Sequence, residues 1–436
     1  MSSFLRGIDM FLTLIISIIT IVLMITSILF YPTIKIKKFQ VNTYWIITLI
    51  GALLILICGL VPIKDFYQTL ISKEEINPLK ILILFFSMTF LSVYLDELGF
   101  FKFLAFKVTN LAKNNQYSIF ITLFVAVSVL TVFTSNDIII LTFTPFICYL
   151  CKRLMIKPLP FLISEFVAAN TLSMTLIIGN PTNIYLGLNC GIDFITYFLD
   201  MGIISFSCAI FALILLMIIF HKSLSQPILK SNTDVKLENK FLVIVGTIIL
   251  LICTFLMAIS SYINLQMWLV ALISAVCLLI ISLVYKISKK MSGVEKQVFF
   301  RLPWQLIPFL LSMFILVLAL DRHGVSKFFS DFLGDELTPY TYGFSSMFVA
   351  NIINNIPMTV LYSTVVDVTN LKMVYATIIG SNLAACLTPL GSLAGIMWMD
   401  ILKANDVKFS FGNFVKYGVM IAIPLGFFAF TLLLLL

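Results

Sequence analysis

Clusters of amides, hydroxyls, glycine and proline interrupt apolar segments that are otherwise long enough to cross a bilayer. The first half of the chain carries Thr134-Ser135-Asn136-Asp137, then Asn170-Thr171-Leu172-Ser173 and Gly179-Asn180-Pro181-Thr182-Asn183. The second half carries Asn354-Asn355-Ile356-Pro357, then Asn382-Leu383-Ala384-Ala385 and Thr388-Pro389-Leu390-Gly391-Ser392. In hydrocarbon, backbone N–H and C=O groups must find partners inside the protein. Irregular backbone survives at membrane depth only when it is buried or lines a cavity. A chain with this pattern is expected to fold as a bundle of membrane helices, with the broken ones turned inward around a site.

Composition agrees. The chain is 61% hydrophobic and 11% charged, with a mean hydropathy of +1.11, whereas soluble domains carry roughly 25% charged residues. The net charge of +8 does not point to nucleic acid, because the basic residues sit between apolar runs. The run 10–30 is too long for a signal-peptide core and lacks a small-residue cleavage site, so it reads as a retained helix. The eight cysteines lie mostly in apolar segments and read as small core residues. Cys148-x-x-Cys151 sets two thiols on one helical face, where soft metalloids bind, although a core role is commoner. His221 and His323 fall in loops and form no metal site.

Candidate spans are 8–30, 44–63, 80–98, 201–221, 241–260, 266–285, 303–320 and 413–436, with polar-interrupted segments at 117–151, 158–198, 341–367 and 372–402. Segments 100–114 and 325–335 are amphipathic and belong at the interface. Read as re-entrant hairpins, 117–151 and 341–367 bring the loops 31–43, 99–116, 152–157, 221–240, 286–302 and 403–416 to one side. Those loops hold 21 of the 28 basic residues, which makes that side cytoplasmic and both termini external. The acidic stretches Glu74-Glu75 and 331–336 fall on the other side.

The chain also repeats. Ser87-Met88, Asp96-Glu97-Leu98-Gly99 and Lys102-Phe103 match Ser312-Met313, Asp321-Arg322-His323-Gly324 and Lys327-Phe328 at a constant offset of 225. Asn170 and Gly179 match Asn382 and Gly391 at an offset of 212. The expected fold is an all-α polytopic membrane protein with about 10–11 full spans. It is an inverted repeat in which each half holds a hairpin and a broken helix. Residues 1–43 form an extra helix and a basic loop, 44–221 the first half, 222–240 a cytoplasmic linker and 241–436 the second half.

The candidate substrate-binding residues are Thr134, Ser135, Asn136, Asn170, Asn180, Thr182, Asn183, Asn354, Asn355, Asn382, Thr388, Gly391 and Ser392. Their amides and hydroxyls both donate and accept. Gly179, Pro181, Pro357 and Pro389 break the helices, and the half-helix N-termini that follow carry partial positive charge. No Lys or Arg falls in the expected hydrocarbon core, which favours a neutral or weakly charged solute, or a cation. Asp137 is an intramembrane carboxylate and a candidate carrier of a proton or ion. Its repeat partner, Asn355, cannot titrate. Glu165 is a second candidate for ion coupling, with a structural role as the alternative. No catalytic, metal or cofactor site is expected, and the chain reads as a transporter in a lipid bilayer, not an enzyme.

At these residues the chain resembles the arsenite/antimonite efflux permeases of the ion-transporter superfamily. That superfamily also holds citrate and dicarboxylate transporters, D-type sodium/proton antiporters and the melanosomal P protein. Asn354-Asn355-Ile356-Pro357, Gly380-Ser381-Asn382-Leu383, the run from Leu387 to Ala394 and Trp398 follow the family pattern. Ser135-Asn136-Asp137, Leu141-Thr142-Phe143-Thr144-Pro145 and Gly179-Asn180-Pro181-Thr182-Asn183 match it more loosely. Leu172-Ser173, Asn180 and Ala384-Ala385 depart from it, next to the expected binding positions. The resemblance implies a plasma-membrane permease working by alternating access, coupled to H+ or Na+. Its expected substrate is arsenite, antimonite or a similar small inorganic solute, with citrate/dicarboxylate uptake or sodium/proton antiport as alternatives. It leaves open a homodimer and a soluble ATPase subunit, which some relatives have.

Overall fold

The computed structural model describes residues 2–31, 33–36, 39–71, 78–103, 106, 115–226, 239–260, 263, 265–289, 294–334 and 338–436. Most of the interfacial segment expected at 100–114 and of the linker expected at 222–240 lies outside these residues, as do Glu74, Glu75 and Glu336. The chain begins with α1 (Ser2–Phe30), β1 (Thr33–Ile36), β2 (Phe39–Asn42), α2 (Thr43–Ile57), α3 (Ile63–Ile71) and α4 (Pro78–Glu97). The first hairpin and broken helix follow as α5 (Gln116–Phe133), α6 (Asn136–Leu154), α7 (Leu159–Leu172) and α8 (Pro181–Asn189), and α9 (Phe194–Leu224) closes this part. Next come α10 (Lys240–Ala258), α11 (Met267–Lys289), α12 (Glu295–Arg301), α13 (Leu306–Arg322) and α14 (Val325–Leu333). The second hairpin and broken helix are α15 (Thr338–Ile353), α16 (Asn355–Tyr362), α17 (Leu371–Leu387) and α18 (Leu393–Ala404), followed by α19 (Phe411–Leu435).

Among the described residues, eight helical segments are long and apolar enough to cross a membrane, and α2, α7 and α17 are shorter apolar helices. The all-helical expectation holds, with one local addition. A two-stranded antiparallel sheet, with Thr33 opposite Asn42 and Ile36 opposite Phe39, stands where a plain basic loop is expected. The alternating Thr33-Ile34-Lys35-Ile36 strand suits a short ribbon. The amphipathic 325–335 segment forms α14, whose Phe328 and Phe332 are exposed.

Side-chain contacts set the direction of each element. Phe120 near the start of α5 packs on Phe161 near the start of α7, with ring centroids 5.9 Å apart. α5 and α7 therefore run parallel, and α6 between them runs back, which makes 116–154 an antiparallel helical hairpin. In the second half, Asn351 of α15 donates to the carbonyl of Ala384 in α17 at 3.1 Å, and a side chain at Gly380 would strike the carbonyl of Gly343. α15 and α17 are thus also parallel, with α16 returning between them.

The sequence-matched helices α4 and α13 run in opposite directions. Asp96 and Glu97 at the end of α4 pair with Arg301, which lies just before α13, at 2.7 and 2.6 Å. Arg322 at the end of α13 pairs with Asp65, which lies before α4, at 2.5 Å. Helix ends also meet across the chain: near the start of α5, Gln116 donates to the carbonyl of Gln226 at 3.0 Å and Tyr117 meets His221. At the end of α8, Asn189 donates to the carbonyl of Ser363 at 3.2 Å. Each broken helix packs against the hairpin of the other half, α8 on α16 and α18 on α6.

Candidate functional site

Both helix breaks are built from the same local chemistry. After α7 the chain makes a 3-10 turn at Ile177–Gly179. A Cβ on Gly179 would lie 2.1 Å from the carbonyl oxygen of Ser173. Asn180 then caps α8, its Oδ1 accepting from the N–H of Thr182 at 3.2 Å, and Pro181 takes the first helical position, where no N–H is needed. After α17 the turn is Pro389–Gly391, with Thr388 accepting from the N–H of Leu390 at 3.1 Å. A Cβ on Gly391 would lie 2.1 Å from the carbonyl oxygen of Ala384. Ser392 caps α18, accepting from the N–H of Gly395 at 3.2 Å. Glycine is required at both breaks because the turn folds directly onto the end of the preceding half-helix.

The hairpin tips differ. Ser135 precedes α6 but makes no cap bond, and Thr134 donates back to Leu130 at 2.8 Å. At the second tip Asn354 has φ +73° and caps α16, with its Nδ2 donating to the carbonyl of Leu390 at 3.3 Å. Pro357 corrects an expectation. It lies in the first turn of α16, where its missing N–H costs nothing, so the break is at Asn354 and not at the proline. Four helix N-termini, those of α6, α8, α16 and α18, begin at these tips and breaks.

The structure divides the expected binding residues into two groups. The first is a crossing between the halves whose amides satisfy one another. Asn382 accepts from Ser173 (2.9 Å) and Asn180 (3.0 Å), and donates to Asn183 (2.7 Å) and to the carbonyl of Ile378 (2.8 Å). Asn183 donates to the carbonyl of Ser173 at 2.8 Å. These are all the bonds an amide of Asn382 makes, so in this conformation it ties helices together. Thr182 is held against Asn183, and Thr388 donates to Asn351 at 2.6 Å. The sequence reading missed Ser173 and Asn351 as partners. Asn351 lies one helical turn before Asn354, which was the available signal.

The second group is open. Asn136 donates to Asn170 at 3.0 Å, but its Oδ1 and the Oγ of Ser135 are buried without a partner among the described residues. Ser135 and Asp137 line a cavity of about 130 Å³. Thr33, Asn42, Arg301, Gln305 and Asp400 also line it. Asp137 and Asp400 make no ion pair among the described residues. Arg301, the basic residue in that lining, is held by Asp96 and Glu97. Asp400 and Arg301 escaped the sequence reading because both lie in segments that look like ordinary membrane-edge residues.

Glu165 lies apart from this cavity and does not reach the interface. It is 1% exposed and accepts from Thr144 of α6 (3.0 Å) and Trp398 of α18 (3.3 Å). Cys148 and Cys151 are free and buried.

Broken helices and helical hairpins that meet at buried polar residues beside a cavity, in a chain with eight helices long and apolar enough to cross a membrane among its described residues, are the architecture of a multi-pass membrane transporter. Residues 21–373 match the CitMHS citrate transporter family, and the chain belongs to that family. The arsenical pump membrane protein of Escherichia coli (strain K12) is 24% identical over 363 residues, covering 79% of this chain and 83% of that one. A second Escherichia coli arsenical pump membrane protein is 25% identical over 406 residues, covering 88% and 91%. The fold is similar to that of the Alcanivorax borkumensis YdaH transporter, described as having an unusual topology. The TM-score is 0.55 at 11% identity, over 98% of this chain and 97% of that one.

Proposed function

We propose that the protein is a secondary active transporter of two inverted halves, 44–221 and 241–436, that exports arsenite, antimonite or a similarly small neutral solute against protons. The observation that carries this reading is the charge of the cavity wall. Its basic residue, Arg301, is neutralised by two carboxylates, while Ser135, with an unpartnered Oγ, and Asp137 lie on the same wall. A neutral trivalent hydroxide needs donors and acceptors, not a counter-charge. A multivalent carboxylate entering here would meet Asp137 and Asp400, with no free cation among the described lining residues to offset them. The names of the two Escherichia coli relatives support the same substrate class. Asp137, at the hairpin tip and on the cavity wall, is the proposed proton carrier. Alternating access would consist of hairpins and broken helices moving against α4 and α13.

A second reading, coupled uptake of citrate or a dicarboxylate, is favoured by the helix N-termini at the tips and breaks, whose partial positive charge suits an anion, and by the family's name. Everted membrane vesicles separate the two. Metalloid should accumulate on imposing a proton gradient, and the accumulation should disappear in Asp137→Asn. Sodium-stimulated entry of labelled citrate without metalloid movement would replace the first reading with the second. Accumulation persisting in Asp137→Asn would remove the carrier role from that residue.

A further inference from the structure

Glu165 is a carboxylic acid buried inside the protein where three helices, α6, α7 and α18, meet. It sits in α7, the first broken helix. Its oxygens accept from Thr144 on the hairpin arm α6 at 3.0 and 3.2 Å, and from Trp398 on α18, the broken helix of the other half, at 3.3 Å. Trp398 is itself buried, with Phe166 beside it at 5.1 Å between ring centroids and Phe414 at 5.6 Å. Among the described residues no Lys, Arg or His pairs with Glu165. The helices packed around it carry further titratable groups: Tyr117 on α5; Asp137, Cys148, Tyr149, Cys151, Lys152 and Arg153 on α6; Tyr197, Asp200, Cys208, His221 and Lys222 on α9; Lys372, Tyr375 and Cys386 on α17; Asp400 and Lys403 on α18; and Lys416 and Tyr417 on α19. Among the described residues none of them forms an ion pair or hydrogen bond with Glu165. A carboxyl group in such a place has only two neutral donors, the Thr144 hydroxyl and the Trp398 indole N–H, in exchange for its hydration.

We propose that Glu165 is a buried proton-binding site that couples its protonation to the clamp between hairpin and broken helices, separate from the cavity where Asp137 lies. The two partners respond differently to the proton. An indole N–H can only donate, so Trp398 can keep its bond to one oxygen in both states. A hydroxyl donates or accepts. With Glu165 charged, Thr144 donates to it. With Glu165 neutral, the carboxyl O–H donates to Thr144 Oγ1, and the Thr144 hydroxyl hydrogen turns to a backbone carbonyl, as Thr142 turns to that of Ile138 at 2.7 Å. One proton enters from the aqueous phase and is held on the carboxyl oxygen facing α6, so the hairpin arm reads the change. This inference rests on the transport reading only for its transport assay.

The test is Glu165→Gln, which keeps the shape and both bonds and mimics the neutral acid permanently. In proteoliposomes, Glu165→Gln should retain metalloid exchange at equal pH on both sides and lose the acceleration by an imposed pH gradient, a change of roughly tenfold. Unchanged gradient stimulation in Glu165→Gln would overturn the proposal. An infrared titration decides independently of substrate. The wild-type protein should show a protonated buried carboxyl band that Trp398→Phe shifts, and that band should be missing from Glu165→Gln if the variant folds. Absence of any band responding to Trp398→Phe also overturns the proposal. If the wild type moves no metalloid, the substrate reading fails and the infrared result still settles Glu165.

Discussion

The side-chain amide of Asn382 donates to the Oδ1 of Asn183 at 2.7 Å, joining residues 199 apart in sequence. Around that bond Ser173 and Asn180 fill the remaining acceptor sites of Asn382. The centre of the molecule is thus a closed hydrogen-bond set linking the two broken helices. The open polar atoms lie beside it, at the first hairpin tip.

Removing Asn382 should therefore act on stability before substrate. Asn382→Ala strips partners from Ser173, Asn180 and Asn183 together, and each buried unsatisfied group costs about 1–3 kcal/mol. Denaturant unfolding of the detergent-solubilised protein should show a loss of about 3 kcal/mol or more. A variant as stable as wild type but with weakened substrate affinity would instead make Asn382 a binding residue.

The two break glycines should be intolerant in parallel. Gly179→Ala and Gly391→Ala each drive a methyl to 2.1 Å from a carbonyl oxygen, and overpacking of this kind costs about 1–3 kcal/mol. Gly412→Ala meets nothing within 4 Å and serves as the control. Transport and thermal stability should fall in the first two and stay unchanged in the third.

Ser135→Ala separates binding from folding. Its Oγ is buried but unpartnered, so its loss should leave stability within about 0.5 kcal/mol. The apparent KM for the transported solute should rise by roughly tenfold, the equivalent of one hydrogen bond. An unchanged KM would show that the hydroxyl does not meet substrate.

Arg301 is expected to behave as half of a neutral wall. Arg301→Gln leaves the carboxylate of Asp96, whose side chain is 7% exposed, without its cation, and should destabilise the fold. Adding Asp96→Asn and Glu97→Gln should restore much of the loss, with a coupling of about 1–3 kcal/mol in the corresponding mutant cycle. Additive losses would mean that the ion pairs contribute nothing.

Much of the fold can be read along the chain because its signals are local. Apolar runs of membrane length, the Lys and Arg between them, and the Gly and Pro of 179–181 and 389–391 each act within a few residues, and hydration or backbone geometry dictates their outcome. The offset repeat of Ser87, Asp96 and Lys102 likewise needs no partner to be seen. Long-range pairing is different. An Asn that ties helices and an Asn that is free for substrate have the same side chain and the same apolar neighbours. Asn382 and Asn136 are told apart only by which groups the folded chain sets within 3 Å of them. The same holds for Glu165, whose partner Trp398 is 233 residues away, and for Arg301, whose charge is spent on Asp96 and Glu97 across the bundle. Thr33–Ile36 and Phe39–Asn42 form a two-stranded ribbon because two short strands find each other. In each case a polar group buried away from water must be paired. Composition supplies that demand, and the packing of the two halves chooses the partner.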